Sequence, residues 1–237
     1  PGNYSFEDTS GTSPLYLYAE GQEMWWDTGN KGSSTMGKNV TTVDTDYKHT
    51  GNQSLLLSSQ FVGIGSIGKF AAGNVFAGKY LKTEGTDGIL GFGRPFTSRP
   101  TKLKGYIKYN CGVVDKGGDK IANGQNDIGT VYVALTDGDG VAYDDGSKWS
   151  CIIKTKTGQL FDKNASNVFA YGEMILNQST EGDGLIPFEI ELDYKSTDRI
   201  PTRIVIVASA SYYGDFFQGS TSSKMWLDDI TLEYDYE

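Results

Sequence analysis

Histidine is almost missing from this chain: His49 stands alone among 237 residues. A zinc centre with several histidines is therefore excluded. A Ser-His-Asp hydrolase would have to be built on that one residue, and no G-x-S-x-G elbow is present to carry its serine. Cysteine is nearly as scarce, with only Cys111 and Cys151. The two pair only if folding brings their Cα atoms within about 7 Å, and two free thiols fit the sequence as well. Positive charge is short, with 21 Lys and Arg against 30 Asp and Glu and a net charge of −9. That balance argues against a nucleic-acid partner, which needs cations to displace the counterions of phosphate, and against an anionic membrane surface. Long apolar runs are absent too. The run Ile204 to Ala208 is strand-sized, far below the roughly 20 residues that span a bilayer.

What is present is glycine and aromatic carbon: 31 Gly, 15 Tyr and 11 Phe, against 6 Pro. Glycine supplies turns that need positive φ, and aromatic side chains suit strands. Leu103, Ile107 and Tyr109 alternate with Lys102, Lys104 and Lys108. Phe188, Ile190 and Leu192 alternate with Glu189 and Glu191. Both segments read as strands with one wet face, whereas Ile204 to Ala208 reads as a central strand covered on both sides. Turn clusters lie at Asp137–Gly140, Asp144–Gly146 and Glu181–Gly184. Residues 115–126 form a long polar loop, and no repeat or composition shift divides the chain. The reading is all-β: a two-sheet antiparallel sandwich of jelly-roll type, one domain over residues 1–237. The abrupt start at Pro1, with no signal peptide, is expected of a piece of a longer exported protein.

Several motifs fail on context. Gly63-Ile64-Gly65-Ser66-Ile67-Gly68 matches G-x-G-x-x-G, but a dinucleotide site needs a helix to start there, and Gly73 and Gly78 break any such helix. Residues 32–38 miss a Walker A loop, because Asn39 stands where Ser or Thr belongs. The acidic turn at Asp137 places Val141 and Ala142 where an EF-hand requires an oxygen ligand and a glycine.

Three segments are more specific: Phe6-Glu7-Asp8, His49 to Leu57, and Met225-Trp226-Leu227-Asp228-Asp229-Ile230-Thr231-Leu232. Their order resembles the jelly-roll carbohydrate-binding modules of xylanases, of galactose-binding-like architecture. A second resemblance covers most of the chain. It rests on Trp26-Asp27-Thr28-Gly29-Asn30, residues 71–78, Gly91 to Phe96, Arg99 to Tyr106 and Gly214 to Ser220. These are similar to the putative carbohydrate metabolism domain family of gut Bacteroidetes. The resemblance implies a jelly-roll domain, often C-terminal, beside other domains of exported or surface-attached proteins, with a polysaccharide or oligosaccharide as partner.

Period two along the last strand groups Trp226, Asp228, Ile230 and Leu232 on the core side, which leaves Asp228 in need of a cation or several donors. In the resembling modules Glu7 and Asp228 would be ligands of a structural calcium, helped by carbonyls of residues 48–51. Capping a turn or pairing with lysine would serve Asp228 as well. No organic cofactor is implied. For sugar stacking the candidates are Trp25, Trp26, Asp27 and Asn30 in one cluster, and Tyr212, Tyr213 and Phe217 in another. Arg94 and Arg99 are suited to ring hydroxyls or a uronate, or to bracing a loop through acidic partners. Three functions stay open: a glycan-binding module, a glycoside hydrolase using two of Asp27, Glu173, Glu189 and Glu191, and a structural or adhesion domain.

Overall fold

Alternating apolar residues along short strands leave each sheet one greasy face, and two such faces closing on each other bury it. The computed structural model describes residues 1–235. The smaller sheet holds five strands in the order Ile186–Glu191, Lys102–Asn110, Lys224–Glu233, Ser54–Ser58 and Thr41–Asp44, all antiparallel. The larger holds nine, with a main path Cys151–Lys154, Asp87–Phe92, Asn74–Glu84, Arg203–Ser209, Gly129–Thr136, Val168–Leu176 and Asp193–Tyr194. Two short strands, Trp26–Asp27 and Arg94–Pro95, pair off that path.

The main core lies between the sheets. Leu55, Leu57, Leu103, Ile107, Met225 and Leu227 of the small sheet meet Val131, Val133, Leu135, Ile204 and Ile206 of the large one. Each such side chain, fully buried, contributes about 1.5–3 kcal/mol before entropy is counted. The strand 203–209 is buried at nearly every position because it has a second partner layer. On its far side Val205 and Val207 pack with Phe76, Tyr80, Leu90, Phe92 and Ile153. That layer exists because the strand 74–84 leaves its neighbour after Phe76 and pairs with 87–92 from Gly78 onward, curling over the sheet. A side chain at Gly78 would collide with the Gly91 carbonyl, so only glycine permits the curl.

The expected alternation of 102–109 and of 188–192 is observed, with the glutamates, Lys102 and Lys104 reaching solvent, while Lys108 on the same face is buried beneath Tyr47 and Trp226. The G-x-G-x-x-G segment is the tip of a hairpin, Gln60–Ile64 against Ile67–Ala71, and no helix follows it. Cys111 and Cys151 are free thiols, and burial pushes the latter up to about 12.

The last strand corrects the reading from period two. Met225 and Leu227 face the core, while Trp226 and Asp228 face the other way, Trp226 giving its indole N–H to Asp44 at 2.9 Å. A bulge between Asp228 and Thr231, with Asp229 at φ 49°, then shifts the phase and returns Ile230 to the core. Among the described residues no helix is long and apolar enough to cross a membrane.

Candidate functional site

The first aromatic cluster is mostly packed. Trp26 is 1% exposed, sits in the main core and donates its indole N–H to the Gly2 carbonyl at 2.9 Å. Trp25 is half-buried and meets Trp26 edge-on at 4.5 Å. Asn30 is buried, donating to the Leu15 and Thr41 carbonyls and accepting from the Thr41 amide. Asp27 is buried too. It accepts from the Tyr80 and Thr28 amides at 2.7 and 2.9 Å, and burial outweighs those bonds to raise its pKa. Trp26, Asp27 and Asn30 are out of a glycan's reach; they fasten the short strand 26–27 and the turn after it to the sheet.

The arginines brace loops through carbonyls rather than carboxylates. Arg94 donates to the Trp25 and Gly78 carbonyls at 3.0 and 2.5 Å and lies over the Trp149 ring. Arg99 donates to the Arg199 and Ser196 carbonyls and covers Tyr194. Glu189 and Glu191 are exposed, with Glu189 paired to Lys102 at 2.9 Å, so they form a solvated charge ladder.

The second cluster has a different setting. The segment 212–217 crosses the outer face of the large sheet, where Tyr212 hangs its amide on the Ile128 carbonyl at 2.6 Å and stays 42% exposed. Beneath it is an aromatic shelf whose strand-borne members were not singled out in the sequence. Tyr132 lies between core-facing Val131 and Val133, so period two turns it outward. Tyr171 and Glu173 do the same on the neighbouring strand, Tyr132 being paired with Glu173 and Ala134 with Tyr171. Phe161 joins them from the loop after residue 157, its ring 5.0 Å from Tyr132 and 6.2 Å from Tyr171, both near parallel. The Tyr171 hydroxyl donates to Glu173 at 2.8 Å, and Lys163 lies 3.7 Å from the same carboxylate.

Asp215 completes the shelf. Asp215 is itself exposed to solvent, and the protein crowded around this segment holds its pKa above the usual carboxylate range. Burial raises the pKa of both Tyr132 and Tyr212, with the charge of Asp215 adding to the first and that of Glu173 to the second. Phe217 faces away from the shelf: the Lys69 ammonium lies 4.1 Å from its ring centre.

What fixes the 212–217 segment is a buried carboxylate. Asp127, 1% exposed, accepts from the Ser211 and Ser223 hydroxyls at 2.7 Å each and from the Ser220 amide at 2.8 Å. Its other oxygen takes the Ile128 amide at 2.8 Å. Both ends of the 211–223 connection are thus pinned to one side chain. Gly214 rests on Ala72, where a larger residue would collide.

Glu7 and Asp228 do converge on one loop, residues 49–53. Asp228 is fully buried and accepts from the His49, Thr50 and Asp229 amides at 2.8, 3.2 and 2.9 Å. Burial raises its pKa against those bonds. Glu7 accepts from the Asn52 amide at 3.0 Å, and a side chain at Gly51 would strike its carboxylate. Asp229 takes the His49 ring nitrogen at 2.6 Å, with that ring stacked 3.3 Å from Tyr106. The loop therefore offers N–H donors to these carboxylates, the opposite of the six to eight oxygens calcium requires. Among the described residues no group of three His, Cys, Asp or Glu is arranged to hold a metal. This donor set does not fit calcium. EDTA is expected to move the unfolding midpoint by less than about 1 °C, and added calcium no more, as read by differential scanning fluorimetry; a displacement of several degrees would show a bound cation.

A cleft of about 540 Å³ lies elsewhere, between the 60–71 hairpin and the 112–126 loop, and includes Lys38, Phe61 and Lys116. Lys116 lies over the Phe61 ring at 4.9 Å.

The two packed antiparallel sheets make this chain a β-sandwich domain. More narrowly, it belongs to the putative carbohydrate metabolism domain family, whose model matches residues 5–233. It is similar to a putative glycoside hydrolase from Bacteroides thetaiotaomicron, at 25% identity and TM-score 0.71, over 99% of this chain and 71% of that one. A putative glycoside hydrolase from Bacteroides vulgatus shows the same fold at 21% identity and TM-score 0.68, over 98% and 97%. Among curated proteins none matches.

Proposed function

We propose that the domain binds a glycan on the outer face of its larger sheet, as a module of an exported polysaccharide-utilisation protein working beside other domains. The carrying observation is the aromatic cluster itself: Tyr132 and Tyr171 each stacked on Phe161, exposed Tyr212 in the segment beside them, and the Glu173 carboxylate bonded to the Tyr171 hydroxyl. Pyranose rings present C–H faces to aromatic carbon and hydroxyls to acceptors beside it, which this arrangement supplies. Calorimetric titration with soluble xylan, mannan and glucan tests it. Saturable binding to at least one is expected, without new reducing ends; no binding across a wider glycan panel would refute it.

One observation favours hydrolysis as a second reading. The likeness over nearly the whole chain to a putative glycoside hydrolase supports it, with Asp215 and Glu173 as the candidate carboxylates. Release of reducing sugar, lost in both Asp215→Asn and Glu173→Gln, would establish it.

The Asp215 shift also predicts a stability effect. A carboxyl whose pKa rises on folding from 3.8 holds its proton more tightly in the folded chain, so ionisation destabilises. The penalty is absent below about pH 4, grows between 4 and 6, and is complete at 7. Because Asp215 is exposed and solvent screens the effect, Asp215→Asn is expected to melt only about 1 °C above the parent at pH 7 and level with it at pH 4. Equal midpoints at both pH values would contradict the raised pKa.

A further inference from the structure

We infer that the cleft between the 60–71 hairpin and the 112–126 loop is a second ligand site, for a carboxylate with hydroxyl groups beside it, as in a uronic acid. It lies apart from the aromatic face of the larger sheet and does not depend on a glycan binding there. Its volume, about 540 Å³, suits a small ligand. Two ammonium groups meet in it around one residue. Lys38 donates to the Phe61 carbonyl at 2.7 Å, and Lys116 lies 4.9 Å from the centre of the Phe61 ring. Among the described residues neither lysine is ion-paired, whereas Lys69, Lys102, Lys104 and Lys163 each have a carboxylate. The segment carrying Lys116 is fixed by its backbone. Its amide and carbonyl both bond Gly219, at 3.1 and 3.0 Å, and the next amide, of Ser220, is held by buried Asp127.

The charges around the cleft favour an anion. Asp115 is the acid in the lining, and both its oxygens are turned to Thr221, one taking the amide at 2.9 Å and the other the hydroxyl. Beyond the rim, Lys69 is paired with Asp87 at 3.5 Å and lies over Phe217. Lys120 lies over Phe216, next to Asp119, which accepts from the Gln218 amide. Those outer charges cancel, while the lining holds two cations and one acid. From Tyr47 to Thr83 the chain contains no Asp or Glu at all. An ammonium carries several N–H donors; Lys38 gives one to Phe61, so both lysines keep donors for a carboxylate. Hydroxyl groups find their partners on the hairpin wall. Gln60 spends its amide N–H groups on the Asn39 and Ser58 carbonyls at 3.0 and 3.3 Å, which leaves its carbonyl oxygen to accept from a ligand. Ser66 lines the same wall. A bare anion engages the lysines alone, and a neutral sugar engages Gln60 and Ser66 alone. A uronic acid engages both sets.

Calorimetric titration of the whole domain with sodium galacturonate, digalacturonate, galactose and acetate, at pH 7 and low salt, tests this. Galacturonate is expected to bind at least about fivefold more tightly than either galactose or acetate, with digalacturonate no weaker. The double variant Lys38→Ala/Lys116→Ala should weaken galacturonate at least about tenfold, and both lysines are exposed, so the fold is retained. Gln60→Ala should weaken galacturonate about threefold and leave acetate unchanged. Raising salt should weaken galacturonate as the ammonium charges are screened. Acetate binding as tightly as galacturonate would make the cleft a plain ion site and overturn the inference, as would galactose binding equally well. Galacturonate binding kept in the lysine double variant but lost in Tyr212→Ala would move the uronate to the sheet face and overturn it too. Absence of galacturonate binding would remove this site while leaving the sheet-face reading to its own titration with xylan, mannan and glucan.

Discussion

Asp127→Ala is expected to lower the unfolding midpoint by roughly 6–12 °C, the largest change for any single polar residue in this domain. The side chain is buried and collects two hydroxyls and two amides. Removing it leaves those donors in a space that Ala cannot fill, and each orphaned buried donor costs about 1–3 kcal/mol. Mutual rescue among Ser59, Ser211 and Ser223 recovers part of this, because Ser59 already bonds Ser211 at 2.7 Å. A net loss near 3 kcal/mol in a chain of this length corresponds to the stated fall in midpoint. Asp127→Asn keeps the volume and two acceptor directions, so its loss should be about half. The same variants should weaken glycan binding, because the 211–223 connection that presents Tyr212 is held by this carboxylate. Thermal denaturation by circular dichroism gives the first effect and titration of the folded variants the second. A fall below 2 °C in Asp127→Ala would mean the serines are satisfied without it.

Tyr212→Ala should reduce glycan affinity at least tenfold while leaving the fold intact. Its ring is 42% exposed and meets Tyr213 edge-on at 4.9 Å, so truncation opens no core cavity. A tenfold loss corresponds to about 1.4 kcal/mol, within the range expected when an exposed aromatic anchor is removed from a binding surface. Tyr212→Phe should retain most of the affinity, since the stacking face survives. Trp26→Ala is the contrast: it empties the core and unfolds the chain rather than weakening binding selectively. Loss of binding in a well-folded Trp25→Ala variant, with Tyr212→Ala unaffected, would move the site to the opposite cluster.

The architecture was legible because strand alternation is a local signal. The faces of 102–109 and 188–192 follow from period two, and the unbroken run 204–208 follows from having a layer on each side. Asp228 escaped the same rule because Asp229 adopts a left-handed backbone, and one bulged residue moves every later side chain to the other face. The proposed site was legible only in its loop residues. Tyr212 and Tyr213 stood out as loop aromatics, and they lie where a ligand can reach them. Trp26 looked equivalent in sequence, but the short strand 26–27 pairs with Ala77 and Phe76 and turns its indole inward. Tyr132 and Tyr171 carried a usable signal, an aromatic between two core-facing positions. Nothing local tells such a residue on a binding face from one on a plain solvated face. Asp127 had none, since its partners are 84 to 96 positions away.

Hydrogen–deuterium exchange with and without a saturating bound oligosaccharide tests the location of the site most directly. Protection should appear in residues 128–136, 168–176 and 210–218, the segments that build the tyrosine shelf, and nowhere on the smaller sheet. Protection centred instead on residues 1–8, 49–53 and 225–233 would put the ligand on the far side of the molecule and contradict the account.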